Sequence, residues 1–504
     1  MKTFCQHPAC FLGIILIFAV SLLSQSRAQD NDIIRIAVAT PAKTTDPALA
    51  ADAASARIIQ LTHPALLQWD KSYKPVGLVA KSCMAESLVK VKCQLPVGKT
   101  FTNGQPLTAQ AVKAWLENIQ NNARSPVSSR LKHISITVPE PHVVEFALPS
   151  PTQTFLGMLT EIPIADPTQT SAGAGPYMLE TSSTTGAIIL RPNRNNIPTL
   201  VLEPLADATT RMLKLRKHEV DVVWNDIPPT ITRYAIKNAA ENGWTVMSHP
   251  SNSYSYIALN FQNPALASPA VREALSLALN RPLIRKALLA DQGAPATSLL
   301  PLGHPSAWNA PEDIYDPMSA EALLDETQLE NGQILMRGPD NMRVSLTLKT
   351  STDPLSQRLA QALQAEWQEI GIDVKLEPTE WGAFFTSIQK GQFDMALMTW
   401  TGEQQPAFYH QLFHSRMGPP EGFNRGHVKD ARIDNLTEQI LQAKTDEESR
   451  SLAIQLQQYL AEARPYLPLY RRHHGVVMGR GVGGCILDAA GSYRGLMACQ
   501  KRND

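Results

Sequence analysis

The stretch from Ala365 to Trp400 reads AEWQEIGIDVKLEPTEWGAFFTSIQKGQFDMALMTW and has the pattern of helix, strand, helix and strand. Leu359, Leu363 and Trp367 recur at four-residue spacing, which predicts one apolar helical face. Gly371 predicts the end of that helix, because glycine readily adopts the left-handed conformation that follows helix C-termini. The alternation of helix and strand favours an α/β fold.

The second part of the stretch predicts two strands separated by a short helix. Ile372, Val374 and Leu376 alternate with polar residues, as in a half-buried strand. A helix is expected from about Trp381, and the run FDMALMTW that follows is a continuous apolar strand. These elements form one unit of an α/β sheet.

The loop after Trp400 is predicted to contact a ligand. Open α/β sheets bind ligands beyond the carboxyl ends of their strands. Gly402 and Glu403 lie just past such an end, and an acid there is suited to receive a cation.

Other elements follow from the same patterns. Residues 33–39 are expected to form a strand, 54–66 a helix and 271–289 one long amphipathic helix. Residues 133–138 and 143–148 are expected to form the arms of a hairpin.

The start of the chain has the features of a secretory signal peptide over residues 1–28. Lys2 supplies a positive charge, Phe11 to Leu23 is apolar, and Ser26 and Ala28 are small residues at a cleavage site before Gln29. No later segment approaches the roughly eighteen apolar residues of a membrane span. We therefore expect an exported, soluble, periplasmic protein.

Four of the six cysteines follow the predicted cleavage site: Cys83, Cys93, Cys485 and Cys499. They allow three pairings, and an exported protein can keep disulfides. A hairpin turning at residues 86–90 would place Cys83 opposite Cys93. We therefore favour the local pairs Cys83–Cys93 and Cys485–Cys499, with buried free thiols as the alternative.

Composition favours a globular protein of more than one domain. The chain has 504 residues, of which 43% are hydrophobic and 18% charged, and its formal net charge is zero. That length exceeds the usual single core. The charge balance argues against nucleic acid or an anionic membrane as a partner.

A resemblance extends from about Thr45 to Val476. Its pieces, in order, include TDPALAADAASARIIQLTHPALLQWD, LPVGKTFTNGQPLTAQAVKAWLENI, GAGPYML, YIALNFQNPALASPAVREALSLALNR, EIGIDVKLEPTEWGAFF and RPYLPLY. Together they resemble the bacterial extracellular solute-binding proteins of family 5, the peptide-, oligopeptide- and nickel-binding components of ABC importers.

The resemblance implies a two-lobed α/β periplasmic binding protein fold, class C-like and type II, with an inserted domain in the first lobe. The implied division is 29–60, 172–256 and 476–504 for the first-lobe sheet, 61–171 for the insertion and 257–475 for the second lobe. Crossing segments at 254–261 and 472–477 would act as hinges, and closure of the lobes would signal loading.

The implied function is capture of a peptide-like, amino-bearing solute for an ABC permease in the inner membrane. The partners expected are that solute and the permease subunits, with no nucleic acid, and the protein is expected to be a monomer without a cofactor. Alternatives are a receptor for nickel or a metal chelate, and a periplasmic chaperone or sensor on the same scaffold. An enzyme is not expected, because the GxSxG and HExxH motifs are absent.

The resemblance also implies residue roles. Peptide-binding members place an acid three residues after the strand-ending Trp to hold the ligand's α-ammonium, and that position is Glu403. Dipeptide-specific members present an Arg on an earlier strand, but here the position is Thr350. Lys349 or Arg425 would then hold the carboxylate, or the ligand is longer or not a free dipeptide.

Two further groups are candidates. Tyr254, Tyr256 and Trp400 are expected to line an extended ligand, with half-buried packing as the equal alternative. His410, His414 and His427 are the candidate ligands for the metal alternative, since imidazole suits nickel or zinc. Surface histidines are the competing interpretation.

Overall fold

The computed structural model describes residues 33–150, 152, 154–181, 186–338, 341–400, 405–419 and 422–502. The predicted signal peptide and its cleavage site lie outside these ranges. Within them, no helix is both long enough and apolar enough to cross a membrane.

The strands of the described residues are β1 Ile33–Val38, β2 Leu67–Trp69, β3 Pro75–Gly77, β4 Ser82–Ser87, β5 Lys90–Gln94, β6 Ser135–Glu140, β7 Val143–Ala147, β8 Tyr177–Thr181, β9 Ile188–Pro192, β10 Thr199–Pro204, β11 Val222–Trp224, β12 Thr245–Pro250, β13 Tyr254–Leu259, β14 Gly293–Ala294, β15 Val344–Ser351, β16 Ile372–Thr379, β17 Met395–Trp400, β18 Tyr466–Met478, β19 Val482–Gly483 and β20 Gln500–Lys501.

The helices are α1 Ala53–Thr62, α2 Ala109–Gln120, α3 Ser128–Leu131, α4 Phe155–Met158, α5 Ala208–Arg216, α6 Pro229–Lys237, α7 Ala239–Asn242, α8 Pro264–Ala267, α9 Pro269–Leu277, α10 Arg281–Leu289, α11 Pro317–Asp325, α12 Pro354–Glu369, α13 Trp381–Gln389, α14 Phe408–Phe413, α15 Ala431–Gln442 and α16 Asp446–Ala463. A 3₁₀ helix spans Tyr493–Ala498.

One large mixed sheet runs through the molecule in the order β16-β15-β17-β13-β18-β11-β1-β10-β9-β8, with β12 and β14 also paired to β18. We call β8 to β12 with β1 the first half, and β13 with β15 to β17 the second half. The thirteen-residue β18 joins them, because it pairs with β13 near its start and with β11 and β12 near its end. The connection from β12 to β13 crosses between the halves at residues 251–253.

A separate four-stranded antiparallel sheet, β4-β5-β7-β6, forms the centre of a segment that we call the insertion. Its core combines this sheet with α2 and includes Trp115, Leu116 and Phe146. Distinct cores lie on the first half, around Ile34 and Trp224, and on the second half. The division of the chain at the proposed boundaries stays a prediction.

The stretch around residues 365–400 folds as predicted. The apolar face of Leu359, Leu363 and Trp367 is buried against the second half, and the Trp367 indole donates to the Leu275 carbonyl at 2.9 Å. Gly371 follows α12 with φ of 83°, a conformation that costs other residues free energy. β15, β16 and β17 are parallel, so their carboxyl ends share one edge.

The single helix predicted over 271–289 is wrong: the structure has two helices, α9 and α10. Pro282 is the physical reason, because its ring clashes with the carbonyl four residues earlier and it has no N–H to donate. Asn280 caps the new helix by accepting from the Leu283 amide at 3.0 Å. Likewise α1 ends at Thr62, short of Leu66, because Pro64 disfavours helical backbone at His63.

Both favoured cysteine pairs are formed. In the β4–β5 ladder Cys83 lies opposite Cys93, and the two sulfurs are bonded. Cys485 is bonded to Cys499 near the end of the described chain. The alternative of free thiols is therefore wrong for these residues.

Candidate functional site

A large cavity with a volume of about 680 Å³ lies where the halves and the insertion meet. It collects residues from α1, the insertion, the end of β11, the crossing segment 251–253, β17 and β18. The polar and charged members include Arg57, Gln60, His63, Glu161, Asp226, Ser251, Asn252, Ser253, Ser255, Thr399, Arg472, His473, His474, Ser492 and Arg494. A pocket of this size suits a small solute.

Two hydroxyls on the second half line this cavity. Ser255 and Thr399 are opposite each other in the β13–β17 ladder, and their side-chain oxygens are 3.1 Å apart. Thr399 is the penultimate residue of β17, so this pair lies at the carboxyl edge of the sheet. Hydroxyls both donate and accept, and they can therefore bond either polar group of a peptide backbone.

The first half supplies charge at the end of β11. Arg57 on α1 lies 3.2 Å from the carboxylate of Asp226. Asn225 and Asp226 both have positive φ, 53° and 51°, although neither is glycine. Such backbone is strained, and it often marks residues that are held in place for function.

Arginines outnumber acids along the cavity wall. Arg57, Arg472 and Arg494 face it together with Asp226 and Glu161. Arg494 donates to the Gln68 side chain at 2.7 Å, while Arg472 has no acidic partner among the described residues. The cavity is therefore suited to a solute that carries at least one negative group.

The cavity histidines add little charge at neutral pH. Burial, with a smaller contribution from the nearby Arg57, lowers the pKa of His474 to about 4. Burial also lowers the pKa of His63 to about 4 and that of His473 by a smaller amount. Their ring nitrogens act as neutral hydrogen-bonding groups.

The predicted aromatic residues lie on the other face of the same strands. Tyr254 is opposite Trp400 in the β13–β17 ladder, and Tyr256 follows on the same face. Tyr254 is 1% exposed and packs against Tyr256 and Tyr466, each with a ring-centre distance of 5.9 Å. Tyr254 is therefore a packing residue, whereas Tyr256 and Trp400 also border a small cavity of about 40 Å³.

Arg425 borders that small cavity too, among aromatic rings. Its guanidinium carbon lies 5.3 Å from the Phe385 ring centre, 5.5 Å from Phe423 and 5.9 Å from Trp400. Burial lowers the pKa of Arg425, and Tyr256 opposes that shift. We call Arg425, Trp400, Phe385, Phe423 and Tyr256 the cage.

Lys349 is placed apart from the cage. It lies on β15, next to β16, and its ammonium is 3.8 Å from the Glu377 carboxylate. The two cations proposed as alternative carboxylate anchors thus differ, because Lys349 already faces an acid.

Gly402 and Glu403 lie outside the described residues, so their role stays a prediction. Gln405, the first described residue after them, contacts the insertion. A Cβ atom on Gly157 of α4 would lie 1.5 Å from the Gln405 side-chain nitrogen. Gln405 therefore lies directly against the insertion.

The histidines of the metal alternative are only partly brought together. The rings of His410 and His414 are 4.3 Å apart, and His414 is buried and bonded to Glu438 at 3.0 Å. His427 packs against Gly391. Across the described ranges, no three His, Cys, Asp or Glu side chains are grouped to hold a metal.

Sequence reasoning missed the charged wall of the large cavity. Arg57 and Asp226 are 169 residues apart in the chain, and no local pattern connects them. One signal was present: Asn225 and Asp226 directly follow the buried strand VVW. Polar residues after a strand are candidates for the ligand-binding edge of a sheet.

Comparison with known proteins supports the resemblance. Curated relatives include a glutathione-binding protein, GsiB, of Shigella dysenteriae, 26% identical over 91% of this chain and 92% of that protein. Another is a probable D,D-dipeptide-binding periplasmic protein, DdpA, of Escherichia coli, 25% identical over 94% of this chain and 95% of that one.

The fold is shared with NikA from Brucella suis, solved in complex with Fe(III)-EDTA. That structure has a TM-score of 0.80 and 20% identity, and the match covers 93% of this chain and all of NikA. The two-lobed architecture is thereby confirmed. The family described as bacterial extracellular solute-binding proteins, family 5 middle, matches residues 74–419. The chain belongs to the bacterial extracellular solute-binding proteins of family 5.

Proposed function

We propose that this protein is the periplasmic receptor of an ABC importer, and that it captures a peptide-like, amino-bearing solute between its lobes. The observation that carries the proposal is the 680 Å³ cavity, since both halves of the sheet and the insertion line it. A solute bound there contacts every unit and favours the closed arrangement. The closed form would then be recognised by the permease.

The names of the relatives support a small peptide as the solute. GsiB is named for glutathione and DdpA for D,D-dipeptides, and both kinds of ligand carry an amino group and carboxylates. The arginine-rich wall and the hydroxyl pair of the cavity suit the same chemistry.

In this proposal Glu403 holds the solute's ammonium, with Gly402 beside it. Trp400 and Tyr256 would contact the solute near the end of β17, and Tyr254 packs against Tyr256 and lies opposite Trp400.

Transport without catalysis is the proposed role. Export would depend on cleavage of the signal peptide before Gln29, and the protein would act as a monomer.

Native mass spectrometry of protein purified from periplasm tests the proposal. A bound solute should be released on gentle denaturation, and its removal should lower the melting temperature. Solute at a hundred times its Kd adds about 2.7 kcal/mol of stability. A set of peptide masses would support the proposal, while a single metal-chelate mass would overturn the peptide assignment.

Glu403→Ala tests the ammonium anchor. We expect the Kd for the released peptide, measured by calorimetry, to rise at least about tenfold, because a charge-assisted bond is lost. Glu326→Ala is the matched control, since Glu326 is an exposed acid at the end of α11. Unchanged affinity in Glu403→Ala would remove the anchor from the proposal.

A further inference from the structure

One buried arginine of this protein, Arg425, differs from the others in its hydrogen bonding. Six arginines of the described residues are buried, and five of them donate hydrogen bonds to backbone carbonyls: Arg211, Arg272, Arg281, Arg343 and Arg471. Arg425 is 8% exposed, yet its guanidinium donates to no described residue and has no acidic partner among them. Its nitrogens are not among the fully enclosed unpaired atoms, so they reach the surface through the small exposed fraction and can meet a group from outside.

The one good acceptor in the cage is the Tyr256 hydroxyl, and it forms no hydrogen bond with the Arg425 guanidinium. Phe385, Phe423 and Trp400 stabilise the cation through their ring faces. However, a phenyl or indole ring has no lone pair that could accept the guanidinium N–H groups. The donors of Arg425 therefore remain available to a group that enters from outside.

A second unused donor borders the same small cavity. The indole nitrogen of Trp400 is buried and has no hydrogen-bond partner in the described part of the chain. Trp400 and Arg425 both line the cavity of about 40 Å³. Since a single water needs about 10–15 Å³ on this measure, the space admits a group of a few atoms.

The chemistry of the entering group follows from these donors. An indole N–H and a guanidinium both donate and neither accepts, so the complementary group has only acceptors and a negative charge. A carboxylate meets both requirements, and arginine binds it with two parallel bonds. Lys349, the other candidate anchor, already faces Glu377 and lacks the fork geometry.

We propose that the cage is a subsite in which Arg425 and Trp400 bind a carboxylate of the solute, so that acidic peptides are the preferred substrates. The inference rests on the proposed function and specifies its substrate class. The cage lies on the opposite face of β13 and β17 from Ser255 and Thr399, so a solute in the large cavity would reach it around the end of β17, where Thr399 lines the cavity and Trp400 the cage. The carboxylate is either a side chain or the C-terminus of the peptide.

Calorimetry with matched peptides tests the inference. The probes are Glu-Ala-Ala, Ala-Glu-Ala and Ala-Ala-Glu, each with its Gln counterpart, and Ala-Ala-Ala with its C-terminal amide. For the wild-type protein we expect at least one acid to bind about tenfold more tightly than its amide. The pair that shows this preference identifies the carboxylate as a side chain or a terminus.

Arg425→Gln should reduce that preference to within about twofold. Trp400→Phe keeps the ring but removes the N–H, and it should reduce the preference by a smaller factor, which keeps the test decisive if Arg425→Gln fails to fold. Arg450→Gln, on the exposed side of α16, and Lys349→Met are the controls, and both should retain the preference.

Three outcomes would contradict these expectations, and they can be told apart. Equal binding of acids and amides by the wild-type protein overturns the inference and leaves the proposed function intact. A preference that survives in both Arg425→Gln and Trp400→Phe overturns the assignment of the carboxylate to the cage. Binding of no peptide in the panel overturns the proposed function, and the inference with it.

Discussion

Arg471 on β18 and Arg425 in the cage are both buried, but their surroundings differ. The Arg471 guanidinium donates to the carbonyls of Ser298, Leu300 and Asn252, the first at 2.5 Å and the last at 3.2 Å. It thereby fastens the crossing segment 251–253 to a loop of the second half. Arg425 is surrounded by rings and makes no such bond with the described residues.

The comparison distinguishes an arginine that forms its hydrogen bonds within the fold from one whose donors can bind a ligand. Arg471 lies on β18, the strand that joins the halves, so its hydrogen bonds hold the region where the lobes would rotate. Arg425 forms no hydrogen bond within the cage, and a bound carboxylate would satisfy its donors. We infer that the first arginine contributes to stability without solute, whereas the second contributes only with solute present.

The largest effect is expected for Arg471→Met. This change leaves several buried carbonyls without a donor and should lower the free energy of unfolding by about 3 kcal/mol. Urea denaturation followed by tryptophan fluorescence measures it. Arg472→Met, at the adjacent half-exposed position, is the control and should change stability by less than about 1 kcal/mol. An equal loss in both variants would remove the special role of Arg471.

A smaller effect is expected from acid, and it should act on the crossing strand. His474 on β18 faces Arg57 and Arg472, which disfavour its protonation, and Asp226 and Asp488, which favour it. With burial as the main cause, the pKa of His474 is lowered to about 4 in the folded protein, below the ordinary value of 6.5. The unfolded chain therefore takes up this proton first, and stability falls as the pH drops below about 6.5.

Between pH 7 and pH 5, His474 should lower the free energy of unfolding by about 2 kcal/mol. His474→Gln should remove this part of the pH dependence in urea denaturation at the two pH values. His218→Gln, at an exposed position, is the control and should leave the slope as in the wild-type protein. If the two variants show the same slope, the acid sensitivity arises elsewhere.

The two regions were not equally predictable from sequence. The unit that ends at Trp400 was predicted because its signals are local: four-residue spacing in α12, a glycine after it and an apolar strand. The hairpin register likewise placed Cys83 opposite Cys93. The helix over 271–289 was predicted wrongly because its apolar spacing was given more weight than Pro282.

The sites depend on contacts that no short window contains. Arg425 was a candidate from its charge alone, and its burial depends on Phe385, which is forty residues away in sequence. The bonds of Arg471 reach Ser298, 173 residues earlier. Sequence therefore predicted where β17 ends, but not which arginine forms its hydrogen bonds within the fold.

The smallest effect is expected for Arg425→Met in the protein without solute. Methionine is apolar and flexible enough to fill the cage, and no internal hydrogen bond is lost with the described residues. The free energy of unfolding should stay within about 1 kcal/mol of the wild-type value, because methionine keeps much of the packing and only the cation–ring contacts are lost. Urea denaturation beside Arg471→Met gives the direct comparison. A loss as large as that of Arg471→Met would show that the cage arginine is structural, and the contrast between the two regions would no longer hold.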